Sequence, residues 1–291
     1  MSHPVIMHIN YCEQGQTIEE VCRAASRIGF DGIEFRNTLK GMELRDYLKE
    51  VGKQTKAYGI KYVLFGGGIN VMTQDKEARD KEVARYNEFV DIAAEYVTPS
   101  INNFFTGSLY DKNKPMNDYS YGIHGSAIAE DWHYEVAAEA CQKVSDHAKQ
   151  YGLKFAFETH MNYLHDISES AMKLVKMIDR DNFGVNLDYG NSMFFRGILP
   201  LESAIELCGD KLFYTHMKNY QPLPVRGEIP PYLFPTSLAD GAINHRAYVK
   251  KLKAIGFDGL IGIEAPRPGD REGFAAADFK YIKSVLKDLN F

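Results

Sequence analysis

The sequence predicts an α/β protein, a single-domain (β/α)8 TIM barrel covering residues 1–291. Three observations carry that expectation. Short apolar runs of strand length alternate with longer amphipathic runs of helix length from one end of the chain to the other. The strand-like runs are almost continuously apolar, as parallel strands covered by helices must be. No G-x-G-x-x-G follows the first run, and the GGG at 66–68 lacks that spacing, which argues against an open doubly wound sheet.

The first strand is read in VIMHINY (5–11). TIEEVCRAASRIG follows as a helix, with Thr17 as N-cap, Glu20 as its capping-box partner and Gly29 as the stop. GIEFR (32–36) precedes a helix over 43–58, and KYVLFGG (61–67) precedes one over 75–95. TPSINNFFTG (98–107) is the fourth strand, followed by a long polar loop, 108–132, and a helix over 134–150. KFAFETH (154–160), a helix from Ser168 to Ile178, FGVNLD (183–188), a helix from Leu201 to Leu207 and LFYTHMKN (212–219) continue the alternation. A loop holding Pro222, Pro224, Pro230, Pro231 and Pro235 leads to a helix over 244–255, the strand LIGIEA (260–265) and a last helix over 275–289. Eight strands and eight helices in about 290 residues suit a closed barrel.

Composition narrows the partners. With 34 basic and 39 acidic residues the formal charge is -5, and the basic residues form no run, so neither nucleic acid nor a membrane surface is expected as a partner. A small-molecule partner is expected instead, and self-association into a homo-oligomer stays open. Cys12, Cys22, Cys141 and Cys208 form no C-x-x-C pair and read as reduced core residues. No apolar run reaches the ~18 residues of a membrane span, and MSHPVIMHINY lacks the pattern of a signal peptide, so the cytoplasm is the expected location.

Function is sought where strands end, because a barrel carries its chemistry at the C-terminal ends of its strands. The fifth strand closes on Glu158, the sixth on Asp188, the seventh on His216 and the eighth on Glu264. Glu158 and Asp188 are 30 residues apart and Asp188 and His216 are 28 apart, each about one β/α unit; the proline-rich loop stretches the last gap to 48. Neighbouring strands lie about 4.8 Å apart, so four such ends can converge on one point. Three carboxylates there would repel one another without a cation. Oxygen donors with one imidazole suit one divalent ion, Mn²⁺ first and Mg²⁺, Co²⁺ or Zn²⁺ as well.

These residues resemble the xylose isomerase-like superfamily of sugar isomerases and epimerases, which also includes endonuclease IV. GFDGIEFR resembles its second strand, FAFETH its E-x-H segment, GVNLDYGN its D-x-G-H segment, THMKN its H-x-K-D segment, and LKAIGFDGLIGIE its last helix and strand. The resemblance implies a metal held by Glu158, Asp188, His216 and Glu264, with Glu158 and Glu264 as the acid/base pair of a ketose 3-epimerase-like reaction. A carbohydrate substrate and a metal-stabilised enediolate follow from the same likeness. Asn191 stands where the family often has histidine, and Asn219 where it often has aspartate. The extra histidines and basic face of endonuclease IV are not evident, which argues against DNA repair.

Several other residues are candidates for substrate contact. His124, Trp132 and His133 belong to the long loop, which either meets a sugar or covers its own apolar residues. His8 faces the barrel mouth or the core. His160 is expected to orient Glu158, and Asn191 to reach a substrate hydroxyl. Lys218 meets a substrate oxygen or solvent, and Arg267 an anionic group. Glu34 and Arg36 read equally as a rim salt bridge or as substrate contacts. Two other readings stay open: a metal-dependent lyase, as in an inosose-type dehydratase or keto-sugar C-glycoside cleavage, and a barrel that binds a sugar or partner without catalysis.

Overall fold

Eight short strands with alternating inward and outward side chains close into a barrel as the last pairs with the first. The computed structural model describes the chain except at residues 1, 2, 99, 116–120, 196, 224–231, 265 and 266. The strands are β1 (Val5–His8), β2 (Gly32–Arg36), β3 (Tyr62–Gly68), β4 (Ile101–Phe105), β5 (Lys154–Glu158), β6 (Phe183–Asp188), β7 (Leu212–Met217), β8 (Asn219–Leu223), β9 (Tyr232–Thr236) and β10 (Leu260–Ile263). All but β8 and β9 form a closed barrel of parallel neighbours, β1 through β7 in sequence and β10 between β7 and β1. The helices are α1 (Ile18–Ile28), α2 (Leu44–Ala57), α3 (Lys76–Tyr96), α4 (Asp131–Ala148), α5 (Ser168–Ile178), α6 (Tyr189–Ser192), α7 (Leu201–Cys208), α8 (His245–Ala254) and α9 (Arg271–Asp288). This is a single-domain (β/α)8 barrel, as the alternation predicts.

Local chemistry sets the boundaries. Thr17 Oγ1 accepts from the Glu20 amide at 3.2 Å, Glu20 Oε2 accepts from the Thr17 amide at 2.8 Å, and Gly29 takes the left-handed φ of +107° that ends α1. Residues on one side of each strand pack beneath the helices in the main core, among them Val5, Met7, Ile33, Phe35, Phe155 and Phe157. Those on the other side enter the lumen, where Ile6, Leu64, Ile101, Ala156, Phe213, Tyr214 and Leu260 form a separate apolar plug. All four cysteines are free and buried, as expected. Among the described residues no helix is long and apolar enough to cross a membrane.

Four expected boundaries change. The first strand ends at His8, and Ile9–Cys12 is a 3-10 turn, because His8 Nδ1 accepts the Asn10 amide at 3.2 Å and pulls the chain out of the sheet. The last helix starts at Arg271, capped by Asp270 Oδ1 on the Gly273 amide at 2.9 Å. Helix α4 starts at Asp131, inside the expected loop, which also holds 3-10 turns at Tyr121–Ile123 and Gly125–Ile128. Instead of a proline-rich loop, β8 and β9 form an antiparallel hairpin in which Pro222 faces Leu233 and Pro235 faces Tyr220. A two-stranded ribbon has two open edges, so prolines without an amide hydrogen fit it; Pro224, Pro230 and Pro231 lie outside the described residues.

Candidate functional site

The lumen changes character over two residues. Ile6 gives way to His8, Ile101 to Asn103, Ala156 to Glu158 and Tyr214 to His216, so a polar layer stands directly on the apolar plug. Two glycines make room in it. A Cβ on Gly66 would lie 2.9 Å from Glu34 Oε1, and a Cβ on Gly262 would fall on the Tyr214 hydroxyl. The remaining GGG glycines serve packing instead, since a Cβ on Gly68 would strike the Phe105 carbonyl of the next strand.

Asp188 and Glu264 join Glu158 and His216 of this layer in one cluster. Asp188 and His216 are register partners on β6 and β7, and the Glu264 amide donates to the Met217 carbonyl at 3.0 Å. His216 Nδ1 lies 3.4 Å from Glu158 Oε2, 3.8 Å from Asp188 Oδ2 and 3.3 Å from Glu264 Oε2. One donor atom from each of the four lies within 4.8 Å of every other. An ion with ligands at about 2.0–2.2 Å spaces those ligands about 3–4.4 Å apart. His216 Nδ1, Asp188 Oδ2 and Glu264 Oε2 are buried and make no directed hydrogen bond in the protein. Three carboxylates and one imidazole nitrogen aimed together, with two of the oxygens and the nitrogen making no directed hydrogen bond, fit a divalent ion.

Other side chains hold these four in place. Asn191 Nδ2 donates to Glu158 Oε1 at 2.9 Å and Asn103 Nδ2 to Oε2 at 2.6 Å, which fixes that carboxylate at both oxygens. Asn10 Nδ2 donates to Glu264 Oε1 at 3.1 Å. Glu34 is fully buried inside the lumen, where it accepts from His216 Nε2 at 2.7 Å, and so is not a rim residue. Arg36 does reach the rim and forms a two-point pair with Glu13 at 2.8 and 3.1 Å. Asn10, Asn103 and Tyr214 escape the sequence reading, although INNFF and LFYTH do place polar atoms at lumen positions of apolar strands.

Lys218 enters from the end of β7. Its Nζ lies 2.8 Å from Asp188 Oδ2, 2.9 Å from Glu264 Oε2 and 3.1 Å from Asn191 Oδ1, the first two as ion pairs without directed hydrogen bonds. Gly190 makes this possible, because a Cβ there would lie 2.3 Å from Lys218 Cγ. The glycine makes room for a side chain arriving from another strand.

Charge and burial oppose each other throughout. Burial pushes Asp188 up to about 6, against the pull of the Lys218 ammonium, and the neighbouring Glu264 and Glu158 add to the rise. Burial would also raise Glu158 and Glu264, but His216 holds the first below the usual carboxylate range, and Lys218 foremost holds the second there. Burial disfavours the His216 cation, yet the surrounding carboxylates, Glu34 first, hold its pKa well above the usual range. A divalent ion would relieve the same concentration of negative charge.

The other sequence candidates scatter. His8 is buried with its ring edge-on to His216 at 5.3 Å, so it faces the site. His160 bonds the Met161 carbonyl at 3.0 Å and rests against Phe105 and Tyr163. His124 is fully buried, accepting from the Asp111 amide at 3.2 Å with Nε2 2.9 Å from the Pro115 carbonyl, so it ties its own loop together. His133 accepts from the Glu130 amide at 3.0 Å and stacks on the half-buried Trp132 at 3.7 Å. Arg267 is engaged by Asp278 at 2.5 Å and stacks over Phe274. Asn219 is buried and bonds the Leu238 and Ile243 backbone, closing the segment after the hairpin.

A parallel barrel with a carboxylate–histidine cluster at the C-terminal ends of β5, β6, β7 and β10 defines a class of (β/α)8 proteins, and comparison with known proteins places the chain within it. Residues 22–285 match the model of the xylose isomerase-like TIM barrel family, and the chain belongs to that family. It is 30% identical over 140 residues to an inosose isomerase of Bacillus subtilis, a match covering 45% of this chain and 47% of that protein, so it spans about half the length of that relative. Its fold superposes on D-psicose 3-epimerase from Clostridium cellulolyticum with a TM-score of 0.74 at 18% identity, covering 98% of this chain and 99% of the other. A xylose isomerase-like TIM barrel protein from Mycobacterium smegmatis, crystallised with magnesium, gives 0.73 at 19% identity over 99% and 97% of the two chains.

Proposed function

We propose that the chain is a divalent-metal-dependent isomerase or epimerase of a ketose or a related carbohydrate, acting by proton abstraction next to a carbonyl. The observation that carries this reading is the convergence of Glu158, Asp188, His216 and Glu264 at the mouth of a barrel of this family, with His216 Nδ1, Asp188 Oδ2 and Glu264 Oε2 free of directed hydrogen bonds. In this reading those four hold the ion, Mn²⁺ in first place. When bound, the ion supplies the positive charge that stabilises an enediolate as it forms.

The chain's own residues do the rest. Glu158 and Glu264, each with an oxygen 3.3–3.4 Å from His216 Nδ1, move the proton. The two amides on Glu158 hold its carboxylate in a single orientation, and Asn10 steadies Glu264. Lys218, delivered beside Gly190, donates to a substrate oxygen at the edge between Asp188 and Glu264. The names of the inosose isomerase and psicose epimerase relatives support a polyhydroxy ketone as substrate.

The test is solvent exchange. The purified protein, its metal identified by elemental analysis, is incubated with ketoses in deuterated water with and without chelator. Metal-dependent deuterium uptake next to the carbonyl is expected, and Glu158→Gln or Glu264→Gln should abolish it. Exchange that persists in both variants would refute the assignment of the proton carriers. Loss of water or of an aglycone, in place of a product of unchanged mass, would move the chain to the lyases.

A further inference from the structure

We propose that Glu34 is the positioning residue of the metal centre: it holds the His216 ring so that Nδ1, and no other ring atom, faces the carboxylates. The inference rests on the metal reading above but uses a residue outside the four ligands.

The geometry is directional. Glu34 Oε2 lies 2.7 Å from His216 Nε2 and 2.8 Å from the Tyr214 hydroxyl, while Oε1 lies 2.9 Å from Asn103 Nδ2. An amide nitrogen can only donate, so Oε1 is an acceptor. Oε2 in turn is the buried acceptor within reach of the Tyr214 hydroxyl, and it faces Nε2 at the same time. A carboxylate accepting at both oxygens compels His216 to present Nε2–H to it. When the ring is neutral its lone pair is then on Nδ1, the atom 3.3–3.8 Å from the three carboxylate oxygens. A histidine bound to a metal through one nitrogen and to a carboxylate through the other is oriented and made more basic by that partner.

The fold makes space for this one side chain. Glu34 is 0% exposed, and Gly66 on the neighbouring strand leaves its carboxylate room that any Cβ would crowd at 2.9 Å. Asn103, which touches Glu34, also donates to Glu158 Oε2 at 2.6 Å, so the same amide relates the position of a ligand glutamate to that of the ligand histidine. Burying a carboxylate in a lumen is costly unless it is fully bonded, and the bonds made here serve the orientation of His216.

The experiment compares wild type, Glu34→Gln, Glu34→Asp and Tyr214→Phe. Mn²⁺ affinity is measured by calorimetry on chelator-stripped protein. The His216 Nε2–H proton is followed by NMR in the metal-free protein, assigned by its absence from His216→Gln. In wild type that proton should lie far downfield, as a carboxylate acceptor requires. Glu34→Gln turns one acceptor into a donor, so it should lose 10–100-fold in Mn²⁺ affinity and move the Nε2–H resonance upfield. Glu34→Asp keeps the charge and should recover part of both. Tyr214→Phe removes another partner of the same oxygen and should change Mn²⁺ affinity less than threefold, whereas a merely structural hub would show losses alike in both variants. Should Glu34→Gln fail to fold, Glu34→Asp carries the test, and an affinity and resonance equal to wild type would overturn the inference. Mn²⁺ binding by Glu34→Gln within twofold of wild type would overturn it too, while leaving the metal reading intact. A wild type that binds no divalent ion but shows the Glu34-dependent Nε2–H would refute the metal reading and uphold the orientation of His216 by Glu34.

Discussion

Replacing Gly190 with alanine tests whether Lys218 is locked into the site. A Cβ at 190 would lie 2.3 Å from Lys218 Cγ, 3.1 Å from Cδ and 3.2 Å from Asp188 Oδ1. The lysine stem cannot swing away freely, because its ammonium is held by Asp188, Glu264 and Asn191 within 3.1 Å. Overpacking of this kind costs about 1–3 kcal/mol. Gly190 sits in the helical turn α6 without a positive φ, so alanine also returns about 0.5–1 kcal/mol of chain entropy. The expected net loss is about 1–2 kcal/mol in urea unfolding at a fixed divalent-ion concentration. In a Lys218→Ala background the clashing carbons are gone, and the same substitution should become neutral or stabilise by about 0.5–1 kcal/mol. An equal cost in both backgrounds would refute the coupling of Gly190 to Lys218.

Stripping the protein with a chelator should lower its unfolding temperature and adding Mn²⁺ should restore it, with about 2.7 kcal/mol expected at a free ion concentration of 100 times Kd. Asp188→Asn should abolish that response, as read by calorimetry. Burial pushes His245 down to about 4 from 6.5, so the unfolded chain takes up its proton at a higher pH than the native one. Its contribution is therefore full above pH 6.5 and lost as pH falls to about 4, by roughly 3 kcal/mol. His245→Phe should flatten the stability curve across that window, and an unchanged slope would assign the acid sensitivity elsewhere.

The barrel and the four converging residues were legible because both depend on local pattern: apolar runs of strand length, each closed by one polar residue. Glu34 was harder. GIEFR reads as a strand that ends in a charged pair, and only the alternation along it, with Ile33 and Phe35 beneath the helices, sends the glutamate inward and leaves Arg36 at the rim. Asn191 was expected to reach a substrate, but its amide is engaged by Glu158 and its oxygen by Lys218. The use of Gly190 could not be read locally, since the side chain it accommodates lies 28 residues further on. The hairpin was hidden for a different reason: prolines signal a loop in a covered sheet, whereas a free two-stranded ribbon tolerates them.

The glycines of the lumen also constrain how this barrel can change. A side chain at position 66 crowds the carboxylate of the glutamate at 34, and one at 262 overlaps the tyrosine hydroxyl at 214, so these positions are coupled in how they can be exchanged. Where the larger partner shrinks before the glycine grows, the intermediate leaves a void in the lumen beneath His216. Substitutions that are harmless together are thus damaging alone. Related chains should show positions 34 and 66 varying as a pair, and a designer seeking a new lumen would have to move both at once.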